Sequence, residues 1–367
     1  MPSRTAIRAE ADRLFDALLA TGAAPVETDI LQPAGTLLDL YGEDIRARAY
    51  VTSDPVRGEM MLRPDFTVPV VLAHMGHGAD PGRYCYRGEV FRKQDHIGPQ
   101  SSEYLQVGYE VFARDAAAEV DAEVFILFSK LLAPFGLRPA TGDMGILMAA
   151  VRGLRTSDRR KAALLRHLWR PRRFRALLDR FAGRLPTPPA RARLLETLHG
   201  AEPQALMDAA GPFIGQRAPE EVAARARALI EDAALPPICE AEAALLDDLL
   251  SLSGPSSAAL ARLRDLSVDM PAIGTAVDRL ADRLAALAAL GIDVDSLPFE
   301  ASHGRSTLEY YDGFVFSFHA DRAGWPPVAS GGRYDALTAV LGQGRSIPAV
   351  GGIFRPGLIA RLREDLR

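Results

Sequence analysis

The segment SSEYLQVGYEVFARD, Ser101 to Asp115, sets Gln106, Gly108 and Glu110 on even positions, between Leu105, Val107, Tyr109 and Val111 on odd ones. That is the period-2 pattern of a β-strand with one face toward a core. The even face has two readings: the solvated side of an antiparallel sheet, or a surface that a ligand approaches closely at the glycine. Two further segments carry residues of matching chemistry. MLRPDFTVPV places Arg63, Asp65 and Thr67 two apart, on one face if extended, and YCYRGEVFRKQ ends at Arg92, with Arg87 and Glu89 on the opposite parity. Asp65 or Glu110 could take an ammonium group, Gln106 a ring nitrogen or amide, and Arg92 a carboxylate through two parallel hydrogen bonds. Together these groups make an amino-acid pocket. LEYYDGFVF adds Tyr310 and Tyr311, of which a strand would turn only one toward that pocket. SGGRYD supplies two glycines, which suit either a turn or backbone passing close to a ligand.

The elements that must hold these residues are read from periodicity. The first part of the chain mixes one amphipathic helix, with Leu14, Phe15, Leu18 and Leu19 at helical spacing, with strands in ARAYVT, GEMMLRP and RYCYRGEVFRKQ. A helix from Ala118 to Phe135 follows the Ser101–Asp115 strand. From Arg152 to Leu249 the texture changes to Ala, Leu and Arg at helical spacing, a helical insert. TAVDRLADRLAALAALGI is a further helix closed by Gly291, and strands return in STLEYYDGFVFSFHAD. The expected organisation is residues 1–150 and 251–367 forming one strand-rich domain around a helical insertion at 151–250.

Composition limits the function. A chain of 367 residues with 48% hydrophobic residues can bury a sizeable core, and its net charge of −4 argues against a surface that grips nucleic acid throughout. Within the insert, RRKAALLRHLWRPRRFRALLDRFAGR interleaves arginines with Trp169 and Phe174. That suits RNA or an acidic partner, or equally a solvated helix face whose aliphatic stems cover apolar neighbours. Cys85 and Cys239 form no Cys-x-x-Cys pair, so no disulfide framework and no metal site are expected, and a reducing cytoplasm is the default. The N-terminus reads as an amphipathic helix rather than a signal peptide, and no apolar run is long enough to span a bilayer.

Taken in order, LRPDFT, YRGEVFRKQ with SSEYLQVGYEVF, LEYYDGFVF, GGRYDAL and PAVGG resemble the catalytic domain of histidyl-tRNA synthetase, over most of residues 1–150 and 290–367. The resemblance implies an α+β fold of the class II aminoacyl-tRNA synthetase type, an antiparallel β-sheet flanked by helices, dimerised through the first helix and the strand near Pro33. It also implies that Gln106 and Glu110 face a bound histidine, that Gly108 leaves room for it, and that Asp65, Thr67, Arg92 and Tyr310 or Tyr311 complete the site. Asp65 stands where the synthetases have glutamate, and Phe66 where they have glycine.

Two departures bear on activity. The synthetase pattern before the paired tyrosines carries an arginine that stabilises acyl-adenylate chemistry, and here Ser306 holds that position. Arg305 is one residue off, which in a strand would send it to the other face. The third class II motif reads GLIAR, with Arg361 one residue late and the glutamate absent. An anticodon-binding domain after it is not expected. These losses fit a second family, the regulatory subunit of ATP phosphoribosyltransferase, a synthetase paralogue. That resemblance implies a non-catalytic protein without cofactor, partnered by the short-form catalytic subunit, by a second copy of itself and by L-histidine as feedback effector. A histidine-activating enzyme with a degenerate ATP site and an RNA-binding module acting through the insert stay open as alternatives.

Overall fold

A computed structural model of the chain describes residues 2–35, 49–94, 101–212, 214, 216–305 and 310–366. Two compact units emerge, Met1–Ala149 with Leu249–Arg367, and Ala150–Asp248.

Among the described residues the larger unit has twelve strands: β1 Ala24–Pro25, β2 Leu31–Pro33, β3 Val51–Asp54, β4 Gly58–Leu62, β5 Gly82–Phe91, β6 Glu103–Phe112, β7 Arg138–Asp143, β8 Ser253–Pro255, β9 Pro298–Glu300, β10 Phe314–His319, β11 Ala329–Arg333 and β12 Ala349–Phe354. Nine of them form one sheet in the order β1-β5-β6-β12-β11-β10-β7-β9-β8, and β2-β4-β3 form a small second one. The expected antiparallel sheet is found at its centre, while the outer pairs β1/β5 and β7/β9 run parallel and make the sheet mixed.

One face of the central strands is dry and aromatic. Phe314, Phe316 and Phe318 alternate along β10 and meet Phe125 and Phe128 from helix Ala117–Leu132, with Phe128 stacked 4.0 Å from Phe354. This helix and helix Gly274–Ala289 cover that face. The second helix ends as its sequence requires. Gly291 takes φ +87°, and the N–H groups of Gly291 and Ile292 return to the carbonyls of Ala288 and Leu287, a Schellman closure. Helix Arg4–Leu19 starts on Ser3, whose hydroxyl accepts the Ala6 N–H at 3.1 Å, and buries Leu14 and Leu18.

The smaller unit is helical, with helices Asp158–Arg166, Pro171–Phe181, Pro189–Leu198, Pro203–Ala209 and Pro219–Ala234. Phe174, Leu178 and Phe181 point into its core, so Phe174 cannot serve as a base-stacking platform. Several arginines of this unit bind carboxylates in it instead: Arg160 and Arg191 meet Asp232, and Arg184 meets Asp247 and Glu240. Among the described residues no helix is long and apolar enough to cross a membrane, and no group of three or more His, Cys, Asp or Glu is arranged to hold a metal ion.

Several expectations about local structure are corrected. Residues 63–66 do not continue the strand: β4 ends at Leu62, Phe66 is already in the right-handed helical region, and a helix, Thr67–His77, starts directly after it. The strand expected in STLEYYDGFVFSFHAD begins only at Phe314 and ends at His319, and Tyr310 and Tyr311 precede it. Gly331 and Gly332 lie inside β11 rather than in a turn.

The helices on the aromatic face are tied to the sheet by a buried ionic network. Arg283 donates to Asp121 at 2.9 Å and to Asp143 at 2.8 Å, and Arg333 donates to the other oxygen of Asp121 at 2.7 Å. Removing Asp121 takes from both guanidinium groups the carboxylate they share, leaving Arg283 only Asp143 and Arg333 only Asp335, so Asp121→Ala should lower the unfolding free energy by about 3 kcal/mol. Urea unfolding followed by circular dichroism measures it, and a loss below about 1 kcal/mol would mean that the network is hydrated or dispensable.

Candidate functional site

The face of the sheet opposite the phenylalanines holds the pocket residues. Register decides their placement: Glu110 on β6 pairs with Gly351 on β12 and Tyr84 on β5, Gly108 with Tyr86 and Ile353, and Gln106 with Gly88. Gln106 and Glu110 are each only 1% exposed, which overturns the solvated reading of the even-numbered face.

Glu110 is the centre of the site. Its Oε1 accepts from the Thr67 hydroxyl at 3.0 Å and the Tyr86 hydroxyl at 2.9 Å, and its Oε2 accepts from Tyr334 at 2.5 Å. The Tyr310 hydroxyl donates to Thr67 at 3.3 Å, extending the chain of hydroxyls by one link. Burial pushes the Glu110 carboxyl up to about 7, against the pull of these hydrogen bonds, and the nearby Asp65 charge adds to the rise. The hydroxyls of Tyr86 and Tyr334 are raised well above the usual phenol range by burial first and then by the Glu110 charge.

Space for this cluster comes from glycine. A Cβ on Gly351 would lie 1.6 Å from Glu110 Oε2, and one on Gly108 would lie 2.2 Å from the Tyr86 ring. The room at Gly108 is therefore taken by the protein's own tyrosine, not left for a ligand as the resemblance implied. Two glycine pairs serve both faces. In β11, Gly332 makes way for Tyr311 and Gly331 for Phe316, and in β12, Gly351 makes way for Glu110 and Gly352 for Phe128. Backbone approach is thus to side chains of the core, which answers the two readings of SGGRYD.

Five of the expected residues converge. Asp65, Thr67 and Glu110 meet Tyr310 and Tyr311, with Asp65 close enough for its charge to act on Glu110, Tyr86 and Tyr311. Both tyrosines join the site because they lie outside the strand, where the alternation that would have excluded one does not operate; their rings touch at 4.8 Å in an edge-on arrangement. The pair is held from behind by Asp312, whose carboxylate accepts the N–H groups of Asp335 and Ala336 at 3.0 and 2.6 Å. Burial, and then Asp335, push Asp312 up to about 6. Arg92 and Gln106 lie toward the other end of the same face. The Arg92 Nε donates to the Pro64 carbonyl at 2.8 Å. Arg63 leaves the group altogether, donating to the carbonyls of Glu89 and Thr28 with its guanidinium 4.0 Å over the Phe66 ring. Phe66 in turn stacks on Tyr86 at 4.4 Å, so its ring props the phenol that binds Glu110.

Ser306, which the resemblance sets at the position of the synthetase arginine, lies outside the described residues. Arg305 is buried in a turn rather than a strand, so the parity argument against it does not apply. Arg361 is exposed in helix Pro356–Asp365, 5.1 Å over the Trp325 ring. Sequence reasoning missed Tyr86, Tyr334, Asp312 and Gly351. All four stand in the motif segments or next to them, and the parity of Tyr86 with Tyr84 and Gly88 was available once β5 and β6 were known to pair.

The protein matches known families along nearly its whole length. The family model of histidyl-tRNA synthetase matches residues 2–236 and 220–355. A curated protein of Allorhizobium ampelinum named ATP phosphoribosyltransferase regulatory subunit is 34% identical over 378 residues, covering 93% of this chain and 94% of that protein. One of the same name from Mesorhizobium japonicum is 33% identical over 390 residues, covering 98% of both. A crystal structure described as an ATP phosphoribosyltransferase regulatory subunit/histidyl-tRNA synthetase from Bacillus halodurans superimposes with a TM-score of 0.68 at 21% identity, over 98% of this chain and 79% of that one. A histidyl-tRNA synthetase from a Nostoc species does so with a TM-score of 0.62 at 16% identity, over 98% of this chain and 72% of that one. At those identities the structural likenesses establish the fold.

The Glu110 carboxyl makes a prediction about pH. Its proton is held more tightly in the folded chain than in the unfolded one, so the folded state binds more protons between about pH 4.5 and pH 7 and stability falls as pH rises through that window. Glu110→Gln abolishes the titration. Relative to this variant, the wild type should lose up to about 3 kcal/mol of unfolding free energy across the window. Urea unfolding of both proteins over a pH series measures the difference, and parallel pH profiles would contradict the burial of this carboxyl.

Proposed function

The chain belongs to the ATP phosphoribosyltransferase regulatory subunits, a non-catalytic branch of the histidyl-tRNA synthetase family, and from that membership we propose that it binds L-histidine at the Glu110 site and transmits this to a short-form catalytic subunit. The observation that carries the proposal is the buried carboxylate ringed by Thr67, Tyr86 and Tyr334, with Asp65, Tyr310 and Tyr311 beside it. A partly protonated, hydrogen-bonded carboxyl in a dry site suits a cationic or hydrogen-bonding nitrogen, either the ammonium or the imidazole of histidine. Asp65, Thr67, Arg92, Gln106, Glu110, Tyr310 and Tyr311 form the proposed histidine site.

The chemistry belongs to the partner. In this reading the partner joins ATP to phosphoribosyl pyrophosphate in the cytoplasm, the first step of histidine biosynthesis. This chain, as a dimer within a hetero-oligomer, raises the partner's turnover and makes it sensitive to histidine. A subunit that does no chemistry can act only by shifting the populations or affinities of one that does, and histidine must then bind the two states unequally. Ser306 in place of arginine agrees with this, since it offers no positive charge to an α-phosphate.

The pocket and the partner can be tested on the same samples. Glu110→Gln should weaken histidine binding by about 1.5–3 kcal/mol in calorimetry, the range for hydrogen bonds to charged groups. Gln106→Ala should leave the hetero-oligomer and its activation intact in light scattering and turnover assays, while raising the histidine needed for half-inhibition about fivefold, the effect of one neutral hydrogen bond. Loss of assembly in the Gln106 variant would put β6 at the subunit interface, and unchanged inhibition would move the feedback site elsewhere.

A further inference from the structure

Further along the face that carries Glu110 lies a cation that the reading above leaves without a role. Strand β12 ends at Phe354, opposite Val107, and alternation puts Gly351, Ile353 and Arg355 on one face, with Gly351 opposite Glu110 and position 355 beside Gln106. The Arg355 backbone is fixed by its N–H to the Val328 carbonyl at 2.9 Å, and one guanidinium nitrogen donates to the Pro327 carbonyl. The guanidinium lies near Tyr104, Tyr311 and Arg92, all of which act on its charge. Burial pulls its pKa down, and Arg92 pulls the same way. Among the described residues Arg355 makes no ion pair. A sheltered guanidinium beside a second one is costly in the absence of an anion. Next to it stands Gln106, 1% exposed, whose side-chain oxygen accepts no hydrogen bond among the described residues.

The face is therefore polarised, with carboxylates Asp65 and Glu110 at one end and cations Arg92 and Arg355 at the other. We propose that Arg355, with Arg92 beside it, receives the carboxylate of the ligand whose nitrogen-bearing end lies at Glu110, so that the pocket reads a whole amino acid and not an imidazole alone. Four residues of strand from the Glu110 row to Arg355 rise about 13 Å, and two hydrogen bonds of about 2.9 Å leave about 7 Å, close to the span of histidine from ring to carboxylate. Gln106, between the two ends, is placed to accept an N–H from the middle of the same molecule. The assignment rests on the histidine reading above and adds to it the residue that selects the acid.

Calorimetry of the full chain with L-histidine and with histidinol, which carries a hydroxymethyl group in place of the carboxylate, tests the assignment. The wild type should bind histidine about tenfold or more tighter than histidinol, the effect of a charge-assisted bond. Arg355→Gln should erase that preference by weakening histidine alone, leaving histidinol within about twofold. Arg355→Lys, which keeps the charge but not the planar fork, should restore part of it, and it serves as the test on its own if the Gln variant does not fold. A preference for histidine undiminished in the variants, or an equal loss for both ligands, would overturn the role of Arg355 while leaving the histidine site standing. A wild type that binds neither ligand would overturn the histidine reading, and this assignment with it.

Discussion

A carboxylate in the middle of a sheet is stable only if donors surround it and no side chain competes for its volume, and most of what is specific to this chain follows from meeting that constraint at Glu110. Three hydroxyls from three separate segments supply the donors, at 3.0, 2.9 and 2.5 Å. Gly351 on the neighbouring strand supplies the volume, since any larger residue would put its Cβ on the carboxylate. Desolvation still exceeds what the hydroxyls return, so the group titrates near 7 instead of in the usual carboxylate range. A site in that condition gains from a ligand that brings its own donor.

The same requirement reaches the frame. Tyr334, which bonds Glu110, sits between Arg333 and Asp335, and Arg333 bonds both Asp335 and Asp121. Asp121 bonds Arg283, and Arg283 bonds Asp143. Asp312, directly after the tyrosine pair, caps the helix that starts at Asp335. The pocket on one face and the ionic network on the other are therefore joined through a few residues of β11 and the helix after it. A change at the pocket that shifted Tyr334 would act on groups that clamp helices Ala117–Leu132 and Gly274–Ala289, a physical route by which occupancy could reach a distant surface.

The parts of this design legible in the sequence were those set by local pattern. Strand alternation in β6, the helices at 4–19 and 274–289 with the closing Gly291, and the change of texture in the helical insert all follow from residue periodicity, and the motif order carried the fold. Pairing was harder to read. Tyr86 sits opposite Gly108 and reaches Glu110 across the diagonal of the β5/β6 ladder, and the link between these strands, from Arg92 to Ser102, is too long for a tight turn to fix the register. Parity arguments also failed where the chain was not extended. Arg63 turned away because a helix begins at Thr67, and Tyr310 and Tyr311 could both enter the site because β10 begins only at Phe314. Arg355 was invisible for a related reason: nothing in IFRPGL distinguishes a surface arginine from one aligned with a strand face.

The most direct test of the account is a crystal structure of the chain grown with L-histidine. The account predicts histidine on the Glu110 face, with a nitrogen within hydrogen-bonding distance of the Glu110 carboxylate and the carboxylate group at Arg355. Histidine bound elsewhere, with Thr67, Tyr86 and Tyr334 still the sole donors to Glu110, would contradict it.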